Sequence, residues 1–264
     1  MKCRSTLLPL RPLPVFPRRS PEVVRVLDRI RFEVDADEAM AEFAWFAREY
    51  PRVYRHHIGH VEHRLASIHN RYSNAHKDFS KQLSDVDPNC FSMAASSQEP
   101  LKVYWDFEAF LNAIGATLDV LARIVGTAYE ENTPPSFSNL CKKDLGGFVD
   151  ILRSAQQRWV SRMKDYRDCF VHYTCVDTML SFSCNQYSDG FELRCKLPTN
   201  PNVRDIMGFR FSRRVEVLRY ALATYKNLVA LDRAIARQIA KDYDAGSFPK
   251  RVDNLFFIGT RMHT

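Results

Sequence analysis

The segment Arg167-Asp168-Cys169-Phe170-Val171-His172 places a guanidinium, a carboxylate and an imidazole close together in the chain. Those groups suit phosphate ester chemistry. RNA carries its own nucleophile, the 2′-hydroxyl. An imidazole that titrates near neutrality can take the hydroxyl proton as the oxygen attacks phosphorus. A guanidinium can grip the phosphate through two parallel hydrogen bonds and stabilise the added charge. Asp168 is suited to orient His172 or to hold Arg167. Glu108 and Asp119, in an upstream apolar stretch, are further acids able to pair with Arg167 or support a cleft. The same residues also fit a salt-bridged helix, with Arg167 paired to an acid and His172 filling or capping a bundle.

Spacing alone does not single this segment out. The pattern Arg, four residues, His also occurs at Arg52/His57, Arg55/His60, Arg64/His69 and Arg71/His76. Only Arg167 is followed directly by Asp or Asn, and only this copy lies late in an amphipathic stretch that follows another long one. On an ideal α-helix, residues five apart point about 140° apart. Arg167 and His172 therefore do not share a narrow face, whereas Asp168 and His172, four apart, do. A two-fold dimer joining two copies of the motif relaxes that requirement.

The elements that must carry these groups are helical. Residues 36–83 read as helix, with Pro51 a candidate break. From Tyr104 to about Tyr129, Phe107, Phe110, Leu111, Ile114, Leu118, Leu121, Ala122 and Val125 recur in steps of three and four, which marks one buried face. From about Gly147 to Tyr173, Phe148, Ile151, Leu152, Ala155, Trp159, Met163 and Tyr166 line another face. Trp105 and Trp159 both fall at core spacing. The period then changes to alternation over 179–184 and 191–197, with Ser188-Asp189-Gly190 as the turn, so a β-hairpin is predicted. A last helix is expected from about Ser212 to Tyr243, stopped by Gly246 and Pro249. The fold class is mainly α: an antiparallel helical bundle with a β-hairpin inserted at about 179–197. The expected organisation is a basic Pro/Arg tail (1–20), an N-terminal helical region with a Ser-rich loop (21–100), the bundle with its hairpin (101–245) and a C-terminal tail (246–264).

Arg-(Asn/Asp)-x-x-x-His late on a bundle helix resembles the motif of the HEPN superfamily, the higher eukaryotes and prokaryotes nucleotide-binding domain. The resemblance covers residues 104–243 and not 1–95. Asp168 stands where Asn is commoner, and the hairpin is an elaboration. The resemblance implies a metal-independent endoribonuclease with Arg167, Asp168 and His172 catalytic and with paired motifs at a homodimer interface. RNA is then the substrate and no cofactor is needed. A toxin or defence effector restrained by an inhibitory protein partner fits that class. The alternative is a non-catalytic HEPN-like nucleotide-binding or dimerisation module.

Composition narrows the setting. The formal charge is +7, but Lys2, Arg4, Arg11, Arg18 and Arg19 supply five of those charges, with no acid in residues 1–20. The remaining body is nearly neutral, which argues against a broad duplex-binding surface and leaves room for a small phosphate site. The seven cysteines include no Cys-x-x-Cys pair and read as reduced, buried thiols. His56, His60 and His63 share a helix face, and two His four apart can hold zinc. No His-Glu-x-x-His occurs, so a polar or RNA-facing stripe is preferred and no metal is assigned. Prolines interrupt the N-terminal residues, which do not read as a signal peptide. No stretch is expected to reach the roughly 20 apolar residues of a membrane span, and a cytoplasmic location is expected.

Overall fold

The computed structural model describes residues 21–34, 41–83, 99–129, 136–173, 182–187 and 190–247. The tail 1–20, most of the Ser-rich loop and residues 248–264 lie outside the described residues. The protein is mainly helical with short antiparallel strand pairs. The helices are α1 (Glu22–Val34), α2 (Ala41–Leu83), α3 (Glu99–Tyr129), α4 (Phe137–Leu140), α5 (Phe148–Ala155), α6 (Ser161–Asp168) and α7 (Val217–Asp244). Two π turns, Gln156–Val160 and Cys169–Tyr173, follow α5 and α6. The strands are β1 (Ser183–Tyr187), β2 (Gly190–Arg194), β3 (Lys196–Pro198) and β4 (Phe211–Glu216). β1 pairs with β2 and β3 with β4, both antiparallel.

α2 runs through Pro51 without ending. Proline removes one backbone donor, but the apolar stripe continues past it. Tyr54, Ile58, Val61, Leu65, Ile68, Tyr72, Ala75 and Phe79 are all buried, in alternating steps of four and three. Burial of that stripe outweighs one missing bond. α1 is a separate short helix within the expected N-terminal helical region. It buries Val23, Val24, Leu27 and Ile30.

The motif-bearing helix keeps its expected span but not its expected face. Trp159 is only half-buried, and the fully buried residue is Val160. The π turn Gln156–Val160 accommodates one extra residue, so buried Ala155 is followed five residues later by buried Val160. Ser161 supports this turn. Its backbone N–H and its hydroxyl both donate to the Gln156 carbonyl. Such back-bonding bends helices. Trp105 is also not a core residue, being 57% exposed.

The hairpin is present, with its first strand placed later than expected. Tyr187 faces Gly190, and the intervening turn residues lie outside the described residues, as do 179–181. The second expected strand divides at Cys195 into β2 and β3, because β3 leaves its hairpin partner to pair with β4. The last helix begins at Val217, not near Ser212. Phe211–Glu216 is strand, and Glu216 accepts from the Leu218 and Arg219 backbone N–H groups, which fixes the first turn as an N-cap does. At the other end Gly246 has φ 69°, Ser247 N–H bonds Asp242 O and Gly246 N–H bonds Tyr243 O. This is a Schellman stop, where a residue without Cβ fits.

The chain forms two compact units. One contains Glu62–Asn112 and Met163–Tyr225, and its core includes Tyr72, Phe107, Phe110, Tyr166, Cys195 and Leu197. The other contains the described residues within Arg18–Val61, Ala113–Arg162 and Lys226–Thr264, with Leu27, Ile30, Tyr54, Phe137, Phe148 and Ile235 buried. Residues from both sides of position 100 enter each unit. Glu99–Gly126 of α3 is long and apolar enough to cross a membrane, contrary to expectation, because residues 109–126 carry only Asp119 and Arg123 as charges. Of its most apolar part, 67% is buried inside the protein, the position of a core helix.

Candidate active site

The motif sits in the first unit, on a helix whose back is fastened to an aromatic core. Met163, Tyr166 and Cys169 are buried. The Tyr166 ring lies 4.6 Å from that of Tyr220, and its hydroxyl donates to the Pro198 carbonyl at 2.6 Å. The Phe170 ring packs at 6.0 Å from Tyr104 and 5.4 Å from Phe107. With these positions turned inward, Arg167 and Asp168 are half-buried and Val171 is exposed.

Arg167 donates from Nε and Nη2 to Asp168 Oδ1, at 3.0 and 2.7 Å. The two side chains retain 35% and 39% of their exposure. A salt bridge this wet contributes little stability. It holds the guanidinium at the surface without consuming a buried acid. His172 belongs to the π turn Cys169–Tyr173, and its side chain lies outside the described part of the structure. The turn alters the backbone geometry expected from an ideal helix. An i→i+5 turn spreads one revolution over more residues than an i→i+4 turn. The angular gap of an uninterrupted α-helix therefore does not apply across this turn.

The four competing Arg-x4-His spacings have other employment. Arg52 pairs with Glu49 at 3.4 Å and Arg55 with Asp28 at 3.5 Å. Arg64 reaches Asp106 at 3.8 Å, and Arg71 binds Asp106 and Glu99. Asp106 is buried, so the last two pairs tie α2 to α3. The acid held by Arg167, among the described residues, is its own neighbour.

The two expected supporting acids separate. Glu108 is half-buried on α3 in the motif's unit, and no bond joins it to Arg167 among the described residues. Asp119 belongs to the other unit, where Oδ1 accepts the Phe137 backbone N–H at 3.0 Å. Its work there is to hold the start of α4. No group of three or more His, Cys, Asp and Glu forms a metal site among the described residues. Cys141, Cys169 and Cys195 are buried thiols.

Sequence reasoning missed a buried polar system in the motif's unit. Three tyrosines from three helices bond the chain around β3. Tyr72 accepts from Cys195 N–H, Tyr104 donates to Lys196 O and Tyr166 donates to Pro198 O. Tyr72 also donates to Glu216. Burial pushes the Glu216 carboxyl above its ordinary value, opposed by donors from Tyr72, Arg219 and Leu218. Burial likewise pushes Tyr72, Tyr104 and Cys195 upward. Tyr166 thus fixes the residue next to Arg167 to β3. Spacing puts Tyr166 among apolar residues, and nothing local reveals where the three hydroxyls go.

The chain matches no protein-family model, no curated protein and no solved structure. The functional reading therefore rests on the motif, its helix and its surroundings.

Proposed function

We propose that the protein is a metal-independent endoribonuclease of HEPN type. The reading is carried by Arg167, a half-exposed guanidinium engaged only by the adjacent Asp168 among the described residues, two residues before the π turn that contains His172. Of the upstream arginines of equal spacing, Arg64 and Arg71 are held by the buried Asp106, and Arg52 and Arg55 lie in the other unit in exposed pairs with Glu49 and Asp28. Arg167 can exchange Asp168 for a phosphate with little loss. In the reaction His172 takes the 2′-hydroxyl proton as that oxygen attacks phosphorus. Arg167 holds the non-bridging oxygens. The bond to the 5′-oxygen breaks, the leaving oxygen takes up a proton, and a 2′,3′-cyclic phosphate remains. Asp168 keeps the guanidinium extended before substrate arrives. A homodimer placing two motifs together, and an inhibitory partner, belong to the same proposal.

The test is cleavage of several RNAs by the purified chain in excess chelator. Loss of cleavage in His172→Ala and Arg167→Ala is expected. An inert wild type, or variants that cut equally well, would sink the reading. A non-catalytic nucleotide-binding or dimerisation module is the second reading, favoured by Asp168 already occupying Arg167. It requires the same substitutions to change ligand affinity or oligomer size with no cleavage to lose.

A further inference from the structure

Of the large apolar side chains exposed among the described residues, Trp105 (57%) and Val171 (45%) each follow a packed aromatic of the motif's unit. Tyr104 meets Phe170, and Phe107 meets both Phe170 and Tyr166. Advancing along α3 therefore runs backward along the motif helix, and the two segments are antiparallel. In an antiparallel pair the two helices wind in opposite senses when viewed from one end. The residue after a contact position consequently emerges on the same flank of both. That places Trp105 (after Tyr104), Glu108 (after Phe107), Arg167 (after Tyr166) and Val171 (after Phe170) on one flank.

We infer that this flank is a nucleotide subsite, in which an unpaired base of single-stranded RNA stacks on the Trp105 indole while its phosphate reaches Arg167. This deepens the ribonuclease reading and rests on it for the choice of RNA. An exposed indole offers a π-face that any base can use. A paired base in a duplex already has both faces stacked, so the subsite selects single strands. Val171 walls the platform on the motif side. Glu108, an acid on the same flank, repels a phosphate placed over it and confines the backbone to Arg167. A nearly neutral body suits a short contact, not a long electrostatic track.

The experiment measures binding of a short labelled single-stranded RNA, and of the same RNA annealed to its complement, to the full chain carrying His172→Ala to prevent turnover. Adding Trp105→Ala is expected to weaken single-strand binding roughly tenfold, Trp105→Phe to retain most of it, and neither to alter duplex binding. Light scattering is expected to show one unchanged mass. Unchanged single-strand affinity in the Ala variant overturns the subsite. So does a fall in mass, which would make the flank an interface between copies of this chain. Cleavage is read separately on chains that keep His172. Weakened binding by Trp105→Ala without any wild-type cleavage leaves the subsite standing and removes the ribonuclease. Wild-type cleavage with binding and cutting unaffected by Trp105→Ala does the reverse.

Discussion

The Tyr72 hydroxyl donates to Glu216 Oε2 at 2.8 Å and accepts from the Cys195 backbone N–H at 3.0 Å. One oxygen so serves an acid and an amide that are both buried. Tyr72→Phe leaves each of them a partner short in a place water does not reach. The expected loss is about 1–3 kcal/mol, read as a lower urea midpoint. Tyr104→Phe frees only the Lys196 carbonyl, so a smaller loss is expected, about 1 kcal/mol. Equal stability of Tyr72→Phe and wild type would remove the hydroxyl from the account.

Glu216 gives the fold a pH dependence of defined sign. Burial raises its carboxyl above the ordinary 4.5, and Tyr72, Tyr104, Cys195 and Arg219 are titratable or charged groups that face it. A folded value above the unfolded one means that the native state holds the proton more tightly. That contribution is complete below the unfolded value and is lost as pH climbs through the folded one. Asp232, also raised by burial, contributes with the same sign. Thermal midpoints of wild type and Glu216→Gln across mildly acidic to neutral pH isolate the Glu216 part. Wild type is expected to lose stability relative to the variant as pH rises from about 4.5. A constant difference across that range would contradict the assignment.

The helices and hairpin were legible because they are written as periods. The steps from Phe107 to Val125 and the alternation through Phe191–Leu197 needed no tertiary information. What escaped was decided by partners far along the chain. Phe211–Glu216 is strand because β3 pairs with it, and α7 starts at Val217 because a glutamate, not a usual capping residue, accepts from its first turn. Trp159 was misplaced because a π turn shifts the buried register by one, which no regular period encodes. At the site, the six-residue motif was visible, but the separation of Asp119 from Arg167 depends on α3 entering both units.

The register shift at the π turn has a measurable consequence. Val160 has no exposed surface, whereas Trp159 is half-buried. Trimming a fully buried side chain costs its transfer energy and leaves a cavity. Val160→Ala is expected to lose roughly 1–3 kcal/mol, and Trp159→Gln less than its size suggests. If Trp159→Gln unfolds the protein while Val160→Ala is silent, the helix is regular through 156–160 and the shift is wrong.

Asp168 holds Arg167 through one oxygen, and that bond competes with any phosphate. Asp168→Asn keeps an acceptor and removes the charge. RNA binding is expected to tighten by roughly 0.5–1 kcal/mol at moderate salt, with the gain fading as salt rises. Fluorescence anisotropy in a salt series reads it. Weaker binding in the Asn variant would mean that Asp168 is needed to present the guanidinium and does not restrain it.

Asp232 performs for α1 what Glu216 performs for α7. Its carboxylate accepts from the Glu22 N–H at 2.6 Å and the Val23 N–H at 3.3 Å, and it is 4% exposed. Helix N-termini leave donors without partners inside the helix, and here they are answered from 209–210 residues away. Asp232→Ala leaves the Val23 amide buried and unmet and also deletes a favourable charge at the positive end of the helix. About 1–3 kcal/mol is the expected cost. The loss should be local, with faster amide exchange in Glu22–Val34 and little change in the Tyr72–Glu216 network of the other unit. Asp232→Asn retains an acceptor and is expected to recover part of the protection. Uniform acceleration of exchange throughout the chain would show that α1 does not open independently and that its cap is part of one cooperative fold.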